Sequence, residues 1–199
     1  MNTTHIFRLL CESKPMSLVE LPPSFGIYAL WDHEDQIRYI GCTPKATESF
    51  RVRVANKHVT GSEGRSHKFS QAYCVSRMWR YAPKLHAPAA GAKQNTLDAK
   101  IAKQLRTLFI RKHCKVTLVE LPPNELSGGY FQTLTRLEAE IQVVAPKSMR
   151  AWEGVRFLPC EEPRELVNQL LDENVGLRAG AERQNCLYLQ HVKGREGPV

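Results

Sequence analysis

Apolar and polar positions along this chain change period several times. Gly26 to Trp31 is an apolar run with aromatic and β-branched residues, Asp32 to Gln36 is polar, and Ile37 to Gly41 is a second run. Two such runs around a short polar stretch predict a β-hairpin. It would place Tyr28 and Tyr39, one from each run, side by side. Upstream, His5 to Cys11 reads as a short helix, and Pro15 and Pro22-Pro23 break the chain. Downstream, Thr47 can cap a helix over Glu48 to His58, with Phe50 and Val54 on one face and Arg53 and Lys57 on the neighbouring stripe. Further helices are predicted over Lys68 to Tyr81, Thr96 to His113, Thr133 to Val144 and Glu161 to Asn174. Lys115 to Leu121 and Cys186 to Val192 read as strands, and Gly61 to Gly64, Ala82 to Asn95 and Gly128-Gly129 as loops or turns. The stretch Leu18-Val19-Glu20-Leu21-Pro22-Pro23 recurs at Leu118 to Pro123; it is too short for an architectural repeat, and a strand ending at a proline stop explains both copies.

Composition narrows the class. The 199 residues are 42% hydrophobic, enough for a core, with no apolar run near the ~20 residues of a membrane span. The N-terminal apolar patch, Ile6 to Leu10, is broken by Arg8 and is no secretory signal. Six scattered cysteines without a Cys-x-x-Cys pair predict a reduced, cytoplasmic protein, and His58, His67 and Cys74 match no standard zinc spacing. The net charge of +8 is concentrated: Arg51 to His113 holds fourteen Lys/Arg against Glu63 and Asp98, whereas Trp152 to Val199 holds six against eight acids. A polyphosphate partner such as DNA suits that distribution.

Gly26-Ile27-Tyr28, ten residues, then Tyr39-Ile40-Gly41 resembles the signature of the GIY-YIG nucleases. The resemblance implies an α+β fold, a three-stranded antiparallel sheet flanked by helices, here with a basic helical insertion and a small C-terminal extension. The expected organisation is an N-terminal extension over 1–24, a catalytic domain over 25–150 with the insertion at about 61–95, and a C-terminal extension over 151–199. The implied activity is a Mg²⁺-dependent DNA endonuclease, with Mn²⁺ able to substitute, leaving 5′-phosphate and 3′-hydroxyl ends. Size and layout are similar to the restriction and phage or mobile-element members, so a homodimer is a further expectation.

Phosphodiester hydrolysis needs an activated water, a counter-charge, a divalent metal and a stabilised leaving oxygen. For the metal, Glu138 stands beside the apolar stripe of the Thr133 to Val144 helix in the context in which the family carries its glutamate ligand; Glu140 is the alternative. For the counter-charge, Arg53 follows Phe50 by three residues as the family pattern asks, and Arg51 is the alternative. The resemblance implies Tyr28 or Tyr39 as proton acceptor, which requires neighbours that lower a tyrosine's ordinary pKa near ~10. His58 is placed to orient water or phosphate. Arg51, Lys57, Lys68, Arg77 and Arg80 are candidate nucleic-acid contacts, with Phe69, Tyr73 and Trp79 as candidates for base stacking or a groove wedge, core packing being the expected use of two of the three. Two departures stand out: Pro146-Lys147-Ser148-Met149 lacks the family's asparagine, and Cys42 stands where many members carry lysine. They motivate the alternative, a catalytically weakened nucleic-acid-binding protein on the same fold.

Overall fold

The hairpin forms from β2 (Gly26–Trp31) and β3 (Ile37–Cys42), and its turn is built by one side chain. Asp32 is 1% exposed; its Oδ1 accepts the Glu34 and Gln36 N–H groups at 2.9 Å, and its Oδ2 accepts Arg38 Nε at 2.6 Å. An Asx-type turn of this kind replaces ladder bonds that the tight reversal cannot make. The computed structural model describes residues 2–61, 68–80, 96–123, 129–153 and 159–193. Most of the expected insertion (62–67 and 81–95), Gly128 and the end of the chain lie outside the described residues.

The chain divides into two compact units, 1–59 with 110–157, and 60–109 with 158–199. In this division the segment expected as an insertion and all of the expected C-terminal extension after residue 157 belong to one unit.

The first unit holds a four-stranded antiparallel sheet in the order β1-β4-β2-β3, where β1 is Met16–Ser17 and β4 is Lys115–Glu120. The expected three strands are therefore four. β1 escaped the sequence pattern because it is two residues long and exposed on both. The central strand β2 pairs with both neighbours, Tyr28 lying opposite Gly41 in β3 and Leu118 in β4. Helices α1 (Thr3–Glu12) and α4 (Tyr130–Val144) bury Ile6, Leu10, Leu134, Leu137 and Ile141 against Ile27, Ala29, Ile40 and Val119. The alternate positions, Tyr28 and Tyr39 among them, project to the other face.

Three local predictions differ from the structure. Thr47 is exposed and caps nothing; Arg51–His58 is a π-helix, closed by Val59 N–H donating to Val54 C=O at 3.1 Å. Leu18–Leu21 is not a strand, although its second copy is. Its backbone groups go to side chains: Val19 N–H donates to Ser17 Oγ, and Leu21 C=O accepts from Arg51 Nε. Cys186 to Val192 is helical, part of α6 below; a seven-residue apolar alternation does not separate strand from helix.

The second unit contains α2 (Lys68–Ala72), a 3₁₀ turn (Ser76–Met78), most of α3 (Thr96–His113), α5 (Arg164–Glu173) and α6 (Val175–Lys193). The single helix expected over Lys68 to Tyr81 breaks after Ala72; Ser76 adopts φ 45°. Helices α3 and α6 approach closely at Gly180, where a Cβ would lie 2.6 Å from Ile101 Cδ1. Arg183 seals the crossing with two 2.8 Å bonds to the Asp98 carboxylate. Among the described residues, no helix is long and apolar enough to cross a membrane.

Candidate active site

The site lies wholly in the first unit, at the edge strand β3. Tyr28 and Tyr39 stack with ring centroids 6.3 Å apart and planes 15° apart. His58 leans on both, at 5.6 and 4.7 Å, and its Nε2 is 2.8 Å from Tyr28 Oη. The π-helix makes this contact possible. In an α-helix, positions five apart are turned about 140° from one another, so Arg53 and His58 would diverge. An i→i+5 ladder brings positions five apart onto one face, and π-helical turns recur at functional sites. Phe50, at its start, meets the Tyr28 ring edge-on.

Both glycines of the hairpin signature are required by packing. At Gly26 (φ +153°) a Cβ would lie 2.1 Å from Val119 C=O; at Gly41 it would lie 2.5 Å from Tyr28 Oη and 2.8 Å from Tyr39 Cε1. Gly26 thus protects the sheet and Gly41 protects the stacked tyrosines. Gly26→Ala is expected to cost about 2–3 kcal/mol in thermal unfolding, because it clashes with backbone in a disfavoured conformation. Gly41→Ala is expected to fold while displacing the two rings. Melting curves and near-ultraviolet circular dichroism of the two variants separate these outcomes; equal losses in both measurements for both variants would refute the assignment.

Arg53 and Arg51 point to different tasks. Arg53 interacts with Tyr28 and donates from a terminal guanidinium nitrogen to Glu48 Oε2 at 3.1 Å, while Arg51 is exposed and bonds Leu21 C=O. The two glutamates separate likewise. Glu140 is exposed and accepts Thr3 Oγ1–H at 2.7 Å. Glu138 is half-buried; its Oε2 accepts the Cys42 thiol at 2.8 Å, and its Oε1 is 3.4 Å from Gln142 Nε2. Its pKa is raised by burial, partly offset by the Cys42 hydrogen bond and by the charge of Arg53. A partly buried carboxylate whose direct donors are a thiol and an amide suits a divalent cation. Mg²⁺ accepts one carboxylate when waters and phosphate oxygens complete its shell. Among the described residues, no group of three or more His, Cys, Asp and Glu could hold a metal.

The tyrosines hold their protons more tightly than the role of proton acceptor requires. Burial, reinforced by Tyr39, pushes the Tyr28 pKa well above its ordinary value despite Arg53. Burial, reinforced by Glu138, pushes Tyr39 up to about 12. Arg53 lowers both but does not outweigh burial, so both hydroxyls keep their protons near neutral pH.

Three residues at or beside the site were missed. Glu48, 3% exposed, accepts from Lys45, Arg53 and Lys57. Burial alone would raise its pKa, but the ammonium hydrogen bonds and the Arg53 charge prevail and hold it at about 2. A lone acid among Lys45, Arg51, Arg53 and Lys57 was the available signal. Gln142 and Glu153 cover the open edge of β3: Ile40 C=O accepts Gln142 Nε2 at 3.0 Å, and Ile40 N–H donates to Glu153 Oε1 at 3.1 Å. Nothing local in the sequence marks Glu153, because its partner is 113 residues away.

Burial pushes Glu153 up to about 7 from 4.5, offset by the Ile40 N–H and Arg150. A carboxyl group with a raised folded pKa binds its proton more tightly in the folded state. Its effect on stability therefore worsens as pH rises from about 4.5 to about 7. Allowing for its partial exposure, that loss is about 1–2 kcal/mol. Glu153→Gln, melted in EDTA at pH 5 and pH 8, should remove this part of the pH dependence and be the more stable form at pH 8; parallel curves would refute it.

In the second unit, the expected nucleic-acid contacts Lys68 and Arg77 are corrected by their burial, 8% and 6% exposed. Lys68 Nζ donates to Gln71, and Arg77 donates to Glu162, Asn168 and the Arg164 carbonyl. Arg80 is half-buried and Lys57, in the first unit, faces Glu48. The expected stacking residues are also core: Phe69 and Tyr73 are fully buried, and Trp79 is 4% exposed against Tyr188 and His191. No protein-family model matches this chain, and no curated protein or solved structure matches it either.

Proposed function

We propose that the first unit is a Mg²⁺-dependent DNA endonuclease of the GIY-YIG type, yielding 5′-phosphate and 3′-hydroxyl ends. The observation that carries this reading is the convergence, from four separate elements, of Tyr28, Tyr39, His58 and Arg53 with the Glu138 carboxylate at one sheet edge.

Because burial raises both tyrosines, the proton route runs through His58. Water adds to phosphorus as its proton passes to Tyr28 Oη, and the Tyr28 proton passes to His58 Nε2, 2.8 Å away. This requires the tautomer with Nε2 bare. The P–O3′ bond breaks, and the leaving oxygen takes a proton from solvent. Arg53 meets the charge growing on the phosphoryl oxygens. Glu138 would hold the Mg²⁺ ion, or Mn²⁺ in its place, whose charge offsets that of the leaving oxygen.

The alternative is a nucleic-acid-binding protein with weakened chemistry; Cys42, bonded to Glu138, and the raised tyrosines favour it. Plasmid DNA incubated with Mg²⁺, with EDTA and Glu138→Ala controls, decides between them. Cleavage abolished by both controls supports the nuclease, and salt-dependent binding without cleavage by either protein supports the alternative. A restriction or mobile-element role would show as discrete fragments, and gel filtration of the protein with DNA tests the homodimer.

A further inference from the structure

Glu48 is 3% exposed, yet it gathers three cations: Lys45 at 3.1 Å and Lys57 on its Oε1, and Arg53 at 3.1 Å on its Oε2. Three cations against one carboxylate leave two positive charges unbalanced. The cluster is graded outward, with side-chain exposure of 4% at Glu48, 21% at Arg53, 35% at Lys57 and 62% at Lys45. The anion is thus beneath and the ammonium groups reach solvent. Arg53 Nε is buried and has no hydrogen-bond partner among the described residues. The surplus positive charge is therefore carried to the surface by Lys45, Lys57 and the exposed part of Arg53, where an anionic oxygen can meet it.

We propose that Lys45, Lys57 and Arg53 form a cradle for the phosphodiester backbone, with Glu48 as the positioning residue that holds the three cations together. The carboxylate prevents their mutual repulsion and fixes lysine side chains that would otherwise lose rotamer freedom on binding. It also ties the Lys45 turn to the π-helix carrying Arg53 and His58, so a strand held by the lysines is in register with the Tyr28–His58 pair. The inference rests on the nuclease reading for what the cradle serves, but not for its ability to bind.

The test is binding of a short fluorescent duplex in EDTA over a salt series, followed by cleavage in Mg²⁺. Lys45→Ala and Lys57→Ala should each weaken binding several-fold and reduce the slope of log K against log salt by about 0.9; together they should reduce it by about 2. Arg8→Ala, on α1, should change neither. Glu48→Gln removes a negative charge, so its binding slope should persist while turnover at saturating DNA falls at least tenfold, with partial rescue by Glu48→Asp. An unchanged slope in the double lysine variant overturns the cradle. A Glu48→Gln variant that loses binding and thermal stability together, with turnover of the bound fraction intact, overturns the positioning role. Wild-type protein that fails to bind DNA overturns the nuclease reading and the cradle alike, whereas binding that depends on the lysines without any cleavage overturns the nuclease reading alone.

Discussion

Glu138→Gln should reduce Mg²⁺-dependent cleavage by about 1000-fold or more, and should do so without unfolding the protein. The two halves of this expectation have separate causes. A glutamine amide keeps the shape of the side chain but supplies no charge to a hard divalent ion, and metal charge at a leaving oxygen contributes several kcal/mol. In the folded chain, however, the carboxylate is not part of a structural ion pair. It accepts a thiol from Cys42 and approaches an amide from Gln142, and burial already works against its charged form. Its neutral replacement should therefore melt at the wild-type temperature or slightly above. Circular dichroism melts in EDTA and plasmid cleavage in Mg²⁺ measure the two halves. Wild-type cleavage by Glu138→Gln would remove it from the chemistry; a large fall in melting temperature would make it a structural residue instead.

Arg77→Ala should destabilise the second unit by about 3–5 kcal/mol, the largest stability effect expected of any single substitution here. The side chains of Arg77 and Glu162 are 8% and 6% exposed, and the guanidinium donates to the carboxylate at 3.1 and 3.2 Å, to Asn168 and to the Arg164 carbonyl. The Glu162 carboxylate also accepts the Arg77 backbone N–H at 3.0 Å. Truncating the arginine leaves that carboxylate buried without its counter-charge, with the backbone N–H still donating to it, which costs far more than the pair contributes. A whole unit is stable by only ~5–15 kcal/mol, so the loss is a large share. The double variant Arg77→Met with Glu162→Gln should recover most of it. Limited proteolysis should find new cleavage within 68–80 and 159–193 for Arg77→Ala alone. If Arg77→Ala melts like wild type while DNA binding falls, the residue is a nucleic-acid contact after all.

Arg77 also shows why counting charge along a chain overestimates a basic surface. Fourteen cations between Arg51 and His113 suggested a strongly positive stripe. Among them Lys68, Arg77 and Arg106 are buried, Arg106 at 1% exposure with a bond to the Met78 carbonyl. For the two arginines the partners are far away in sequence: Glu162 is 85 residues from Arg77, and Met78 is 28 from Arg106. A charge whose partner is distant looks solvated in any local window.

What was local was legible. The hairpin, its two tyrosines, α3, β4 and α4 all follow from periodicity over six to eighteen residues, because such runs must bury one face wherever the chain takes them. Within the same windows, the resemblance to the nuclease family singled out Arg53 and Glu138. Tertiary structure decided the rest. The π-helix depends on Phe50 and His58 docking against the Tyr28 ring, which rewards an i→i+5 ladder over the commoner one. The tyrosine pKa values depend on how deeply the sheet is covered, and the covering of β3 by Gln142 and Glu153 on contacts spanning about a hundred residues. Sequence alone sets which residues can do chemistry and which face they occupy; burial and long-range pairing set their charge, their partners and their freedom to act.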